Sequence, residues 1–395
     1  MKIPASYPLI AFAVLSSFLA PLSAADVPPE FAAAEQAARD AIPLGGDFQP
    51  DPQQPVFVAA GHGGRIVLSR DDGATWEQVY FGHPGSDHSP WAMRSVAYTE
   101  GVFVVAIGWG APTAWLASED GVNWRHLTSG KSDVGGRKAE GDLSVMPGTW
   151  GMAGAEGVFV SGGYMTMGAT PDFGKTITTF SLREFKDDPR PRKLVTHHVN
   201  PVWCGEESGR FLAIGNDRSK ENPAFGNLYA SDDMGKTWTW LEPELLNRKC
   251  EGYSGMVSDG KVVLIADKAG ANAFLSADAG NTWHGPYATG VESRGSLSRV
   301  GDEFWIVGSG NARASKDGME WRDLPEGVPG GKIVASDDGA LVNIDRRRTS
   351  ILRSTDGGES WDEVYTFEAP ETEHIHGAQG LRDIAFGHVT EEPVK

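Results

Sequence analysis

One phrase recurs seven times along the 395-residue chain, and its spacing limits the fold more than any other feature. Its full form is Ser-x-Asp-x-Gly-x-Thr-Trp, as in Ser69-Arg-Asp71-Asp-Gly73-Ala-Thr75-Trp76, Ser231-Asp-Asp233-Met-Gly235-Lys-Thr237-Trp238 and Ser276-Ala-Asp278-Ala-Gly280-Asn-Thr282-Trp283. Ser354-Thr-Asp356-Gly-Gly358-Glu-Ser360-Trp361 keeps the outline. A form one residue shorter stands at Ser118-Glu-Asp120-Gly121-Val-Asn-Trp124 and Ser315-Lys-Asp317-Gly318-Met-Glu-Trp321, and Thr170-Pro-Asp172-Phe-Gly174-Lys-Thr176-Ile177 is a degraded copy. The last positions of the copies, 76, 124, 177, 238, 283, 321 and 361, lie 48, 53, 61, 45, 38 and 40 residues apart. That period is the size of one four-stranded blade, so seven copies predict an all-β, seven-bladed propeller.

The phrase itself is turn chemistry. A Ser or Asp side chain can bond the backbone of its own turn, Gly accepts positive φ, and Trp opens the outgoing strand as a packing anchor. Ahead of the turns lie seven apolar runs, VFVAAG, VFVVAIG, VFVSGG, FLAIG, VVLIAD, FWIVG and ALVNI, rich in strand-forming residues. The first repeat lacks a strand before Val56, and residues 380–387 match residues 92–99. The C-terminal strand is therefore expected to complete the first blade and close the ring, which removes exposed strand edges.

With those turns the chain resembles the sialidase-type Asp-box (BNR-repeat) propellers over residues 42–389. The resemblance implies that the Asp-box turns sit on the face away from the ligand. Sialidases of this type carry an Arg-Ile-Pro phrase ahead of the first box, and residues 41–55 contain none, so sialidase activity is not expected.

Lys2 precedes an apolar stretch, 9–22, followed by Ser23, Ala24 and Ala25, which reads as a secretory signal peptide over 1–25 with cleavage near Ala24 or Ala25. Residues 26–41 read as an N-terminal arm, 42–389 as the propeller and 390–395 as a tail. A soluble, exported, periplasmic or extracellular monomer is expected, with no membrane span. The 35 Lys+Arg against 53 Asp+Glu leave a formal charge of −18, which argues against nucleic acid as partner. The 2 Cys, Cys204 and Cys250, either form one disulfide in an oxidising compartment or stay as buried thiols.

Function is sought where the loops between blades and the loops between second and third strands meet the channel mouth. Aligning the innermost strands on their terminal glycines puts Arg94, Trp150, Val202, Tyr253, Arg294 with Gly295, Lys332 and Arg382 at one level there. His88, His197, His198, His374 and His376 come just outside it, and Trp109 and Tyr164 stand in nearby loops. Like charges gathered in an acidic protein call for counter-charges or an anionic ligand. One reading is binding, with cleavage by a lyase or glycoside hydrolase as its extension, of an acidic extracellular polysaccharide or oligosaccharide. Arg94, Arg382, Lys332, Trp150, Trp109 and His376 would bind substrate. In a lyase His88 or His198 with Tyr253 would act as base and acid, while the arginines neutralise a uronate carboxylate. A hydrolase would need paired carboxylates such as Asp217 and Glu251. The other reading is a noncatalytic interaction or assembly scaffold. No cofactor is expected, and the histidines lack the spacing of a metal motif.

Overall fold

The computed structural model describes residues 48–61, 64–81, 93–107, 114–127, 149–173, 176–182, 196–217, 227–292, 295–345, 349–366 and 380–391. They form seven four-stranded sheets, each a blade of antiparallel neighbours. The innermost strands are Leu381–Thr390, Met93–Thr99, Thr149–Ala155, Thr196–Trp203, Gly255–Ser258, Ser296–Val300 and Ile333–Ala335, for blades one to seven. Each touches the next around the ring, including the last with the first. The apolar runs supply the second strands, and Phe57, Phe103, Phe159, Phe211 and Phe304 on them are fully buried.

Blade one joins the two ends of the chain. Its innermost strand is C-terminal and pairs with Pro52–Gly61, setting Phe386 opposite Phe57 and Asp383 opposite Ala60. The strand also carries a tie to both neighbouring blades. The Asp383 carboxylate accepts bonds from the Ser95 hydroxyl and the Val96 N–H, both at 2.9 Å, in blade two. From blade seven it takes Lys332 Nζ at 2.6 Å. Further round, the Ser95 hydroxyl accepts the Met152 N–H at 3.2 Å, and Ser298 accepts the Ile333 N–H at 3.1 Å. Small polar side chains on the inner strands thus satisfy the backbone of the neighbouring blade where no sheet ladder reaches.

The seven recurring turns connect third and outer strands. In the fifth, Asp278 accepts from the Thr282 N–H at 2.8 Å and hydroxyl at 2.6 Å, Ser276 accepts the Gly280 N–H at 2.8 Å, and Trp283 Nε1 donates to the Gly280 carbonyl at 3.1 Å. The same bonds recur around Asp71, Asp233 and Asp356. Partial burial opposes ionisation of Asp278, but the Thr282 and Ser276 donors outweigh it and hold the carboxyl below its ordinary value. Gly280 has φ +88°, and a Cβ there would lie 2.6 Å from Leu212 Cδ1 of blade four. Gly73 meets Val342 of blade seven in the same way, as Gly121, Gly235, Gly318 and Gly358 meet the blade before theirs, so the turn glycines among the described residues are also wedges against the preceding blade.

Between blades four and five runs a short helix, α1 (Glu244–Lys249), with Leu246 buried beside Cys204 and Cys250. Both cysteines are free thiols. Burial pushes each up to about 12.

Candidate functional site: the channel mouth over blades one to four

The innermost strands begin at the face carrying the blade-to-blade connections, so their first residues ring the mouth. In four consecutive blades the inner ladder slips at this level. Asp383 pairs with Ala60 but Leu381 with Gly61, which leaves Arg382 as an extra residue. Met93 and Ser95 pair with Ile107 and Ala106, leaving Arg94, and Thr149 and Gly151 pair with Gly163 and Gly162, leaving Trp150. In blade four His197 faces Asn216 and Asn200 faces Ile214, which leaves His198 and Val199. The described inner ladders of blades five, six and seven run in register. A bulge re-aims a side chain and ends regular pairing, and such features gather near functional sites. Among the described residues the slips therefore fall on one side of the ring, at two arginine positions on blades one and two and at two aromatic rings on blades three and four.

The aromatic half is closely built. The Trp150 and His198 rings stack across the seam with centroids 3.6 Å apart and planes at 22°. His198 holds φ +54°, a left-handed conformation uncommon outside glycine. Its carbonyl accepts Asn200 Nδ2 at 2.8 Å, and its Nδ1 faces Asn216 Nδ2 at 3.3 Å. The bulge sits in a notch made by two glycines of blade three. A Cβ on Gly162 would lie 2.6 Å from the Val199 carbonyl oxygen, and one on Gly151 would lie 3.1 Å from Asn200 Cα.

Tyr253 stands two residues ahead of its strand and makes a long 3.5 Å bond to the Ile214 carbonyl. Burial pushes its phenol well above the ordinary value, against the smaller opposing effect of Asn200. A phenol so placed is a weak acid. Lys332 is at the mouth, but its charge is committed to Asp383 on the inner strand of blade one. Arg382 is half-buried. Arg94 is placed by its strand, with its side chain outside the described residues. His88, Trp109 and His376 also lie outside them, as do His374 and the side chains of His197 and Asp217.

One register expectation is corrected. Alignment on the terminal glycine puts Val202 level with Arg94, whereas the structure sets Val202 opposite Leu212 and raises the His198–Val199 bulge to that level. The reason is the turn over residues 204–210, longer than the two residues, Glu100 and Gly101, that join the corresponding strands of blade two. Asn200, Asn216, Gly151 and Gly162 were missed because their role exists only once the bulge is known. Among the described residues no group of three or more His, Cys, Asp or Glu side chains could hold a metal ion, and no helix is long and apolar enough to cross a membrane.

No protein-family model matches the sequence, and no curated protein matches it. Solved structures do share the architecture. A functionally unknown protein from Desulfotomaculum acetoxidans is 11% identical, with 85% of this chain and 100% of that one covered at a TM-score of 0.57. A YCF48 bound to a D1 peptide is 14% identical over 90% and 100% of the two chains at 0.46, and the Niastella koreensis GH74 enzyme 12% identical over 86% and 66% at 0.39. Likeness at this identity defines a seven-bladed β-propeller and nothing finer.

Proposed function

We propose that this propeller is an exported binding protein whose channel mouth, over blades one to four, takes an acidic glycan. The observation that carries the reading is the run of four successive bulges, which brings two arginines and two stacked rings to one level. Guanidinium groups bind carboxylate or sulfate through paired, charge-assisted bonds, and an aromatic face takes the C–H side of a sugar ring. The expected location outside the cytoplasm rests on the leader-like segment 1–25. Cleavage by a lyase or glycoside hydrolase is the extension of this reading, and burial, by raising the Tyr253 phenol, works against that residue as the acid.

The test is a screen of uronate- and sulfate-bearing glycans, followed by calorimetry at fixed salt on the best binder. Arg94→Ala should weaken binding by about 1.5–3 kcal/mol, the worth of a bond to a charged group. Equal affinity in wild type and Arg94→Ala would remove the anion subsite and favour a protein-interaction scaffold. The same glycans, followed by ultraviolet absorbance and reducing-end release, show whether the bound chain is also cut.

A further inference from the structure

Trp150 and His198 come from different blades, yet their rings stack at 3.6 Å. The His198 bulge is held by its left-handed backbone, by the Asn200 and Asn216 amide contacts and by the glycine notch of blade three. A left-handed histidine persists only where its surroundings over-determine it, and such conformations gather at binding sites. Structural packing at a blade seam needs none of this. Elsewhere in the ring plain polar ties such as Ser298 to Ile333 join the neighbours. The Asn216 amide nitrogen lies 3.3 Å from Nδ1, and an N–H donated there pairs with the neutral ring whose proton is on Nε2.

We propose that Trp150 and His198 form one composite, preorganised subsite that binds the sugar ring itself and not its acidic substituent, with Asn200 and Asn216 as positioning residues. The inference rests on the glycan reading above and divides the mouth chemically. Arg382 and Arg94, on blades one and two, select for the acidic group. The paired rings, on blades three and four, add affinity whatever the substituent, because ring stacking is indifferent to a remote charge. Rigid placement matters here, since a platform already ordered loses little entropy on binding.

The experiment uses the full mature protein and a matched pair of probes, an oligogalacturonide and the same oligosaccharide after its carboxylates are reduced to alcohols, beside a sulfated oligosaccharide and its desulfated form. Trp150→Ala and Asn216→Ala should weaken both members of the bound pair by a similar factor, roughly fivefold to tenfold. Arg382→Ala should weaken only the acidic member. Trp150→Phe keeps a ring in the seam and should fall between, which covers the case in which Trp150→Ala does not fold. Nitrogen-resolved NMR of His198 should show the Nε2–H form in the unliganded wild type and a redistribution toward Nδ1–H in Asn216→Ala, an effect that mere loss of packing would not give. If the wild type binds none of the four probes, the glycan reading fails and this inference with it. If it binds them but Trp150→Ala and Asn216→Ala leave both affinities unchanged, or if the His198 tautomer balance is the same in wild type and Asn216→Ala, the composite subsite is wrong while glycan binding stands.

Discussion

Replacing Asp383 by alanine removes a single carboxylate, but one that three donors on two neighbouring blades share. Ser95 and Val96 are 4% and 3% exposed, so both lose their partner where water barely reaches. A buried donor left unpaired costs about 1–3 kcal/mol. The Lys332 ion pair adds less than about 1 kcal/mol, because the lysine side chain is 47% exposed and solvent screens the pair. Since the terms share one acceptor they do not add fully, and a loss of about 3–4 kcal/mol is expected. Asp383→Asn keeps one acceptor oxygen and should lose about half as much, and Lys332→Met under about 1 kcal/mol. Equilibrium unfolding in guanidinium chloride measures all three, provided the slope is unchanged. The order Lys332→Met, Asp383→Asn, Asp383→Ala should hold. If Lys332→Met were as destabilising as Asp383→Ala, the charge pair and not the tie to the blade-two backbone would be holding the seam.

Gly280→Ala should destabilise by about 2–4 kcal/mol, from a left-handed backbone and from overlap with Leu212, and should do so without changing ligand affinity. The carboxyls of Asp71, Asp233, Asp278 and Asp317 sit below their ordinary values, as does Asp356, chiefly through the Ser360 hydroxyl. Their contribution is therefore complete above the unfolded-state value of about 3.9 and is lost as pH falls through the lower folded values. Asp278→Asn should accordingly flatten the acid limb of a stability-against-pH curve below about pH 4, and an unchanged limb would contradict this. Cys204 and Cys250, with thiols near 12, should resist a thiol reagent at neutral pH until the protein unfolds, read as labelling with and without denaturant. Deleting residues 378–395 should lower the thermal midpoint markedly, because it removes the inner strand of blade one together with Asp383.

Blade number, the order of strands and the closing role of the C-terminal strand were legible in the residues. The reason is visible in the turns. Ser276 bonds a group two or four residues away, and Asp278 one four away, so the phrase carries its own geometry wherever it occurs. Closure was legible because the match of residues 380–387 to 92–99 is a repeat of pattern, and pattern survives without coordinates. The mouth was legible only as a set of residue types. Arg94, Trp150 and Arg382 could be assigned to one level and His198 only to its surroundings, but none of them to a bulge, since an extra residue is extra only relative to a partner strand.

Local bonding over four residues is written in the chain, and it determined the seven turns and hence the blades they close. Only the assembled ring decided that Lys332 spends its charge on Asp383, that Ser95 reaches a carboxylate 288 residues away, and that Trp150 lies on His198. Those contacts depend on the register and slip between strands of different blades. Register is set by packing across a seam, as where the glycines of blade three admit the bulge of blade four, and no single segment of sequence contains both sides of that seam.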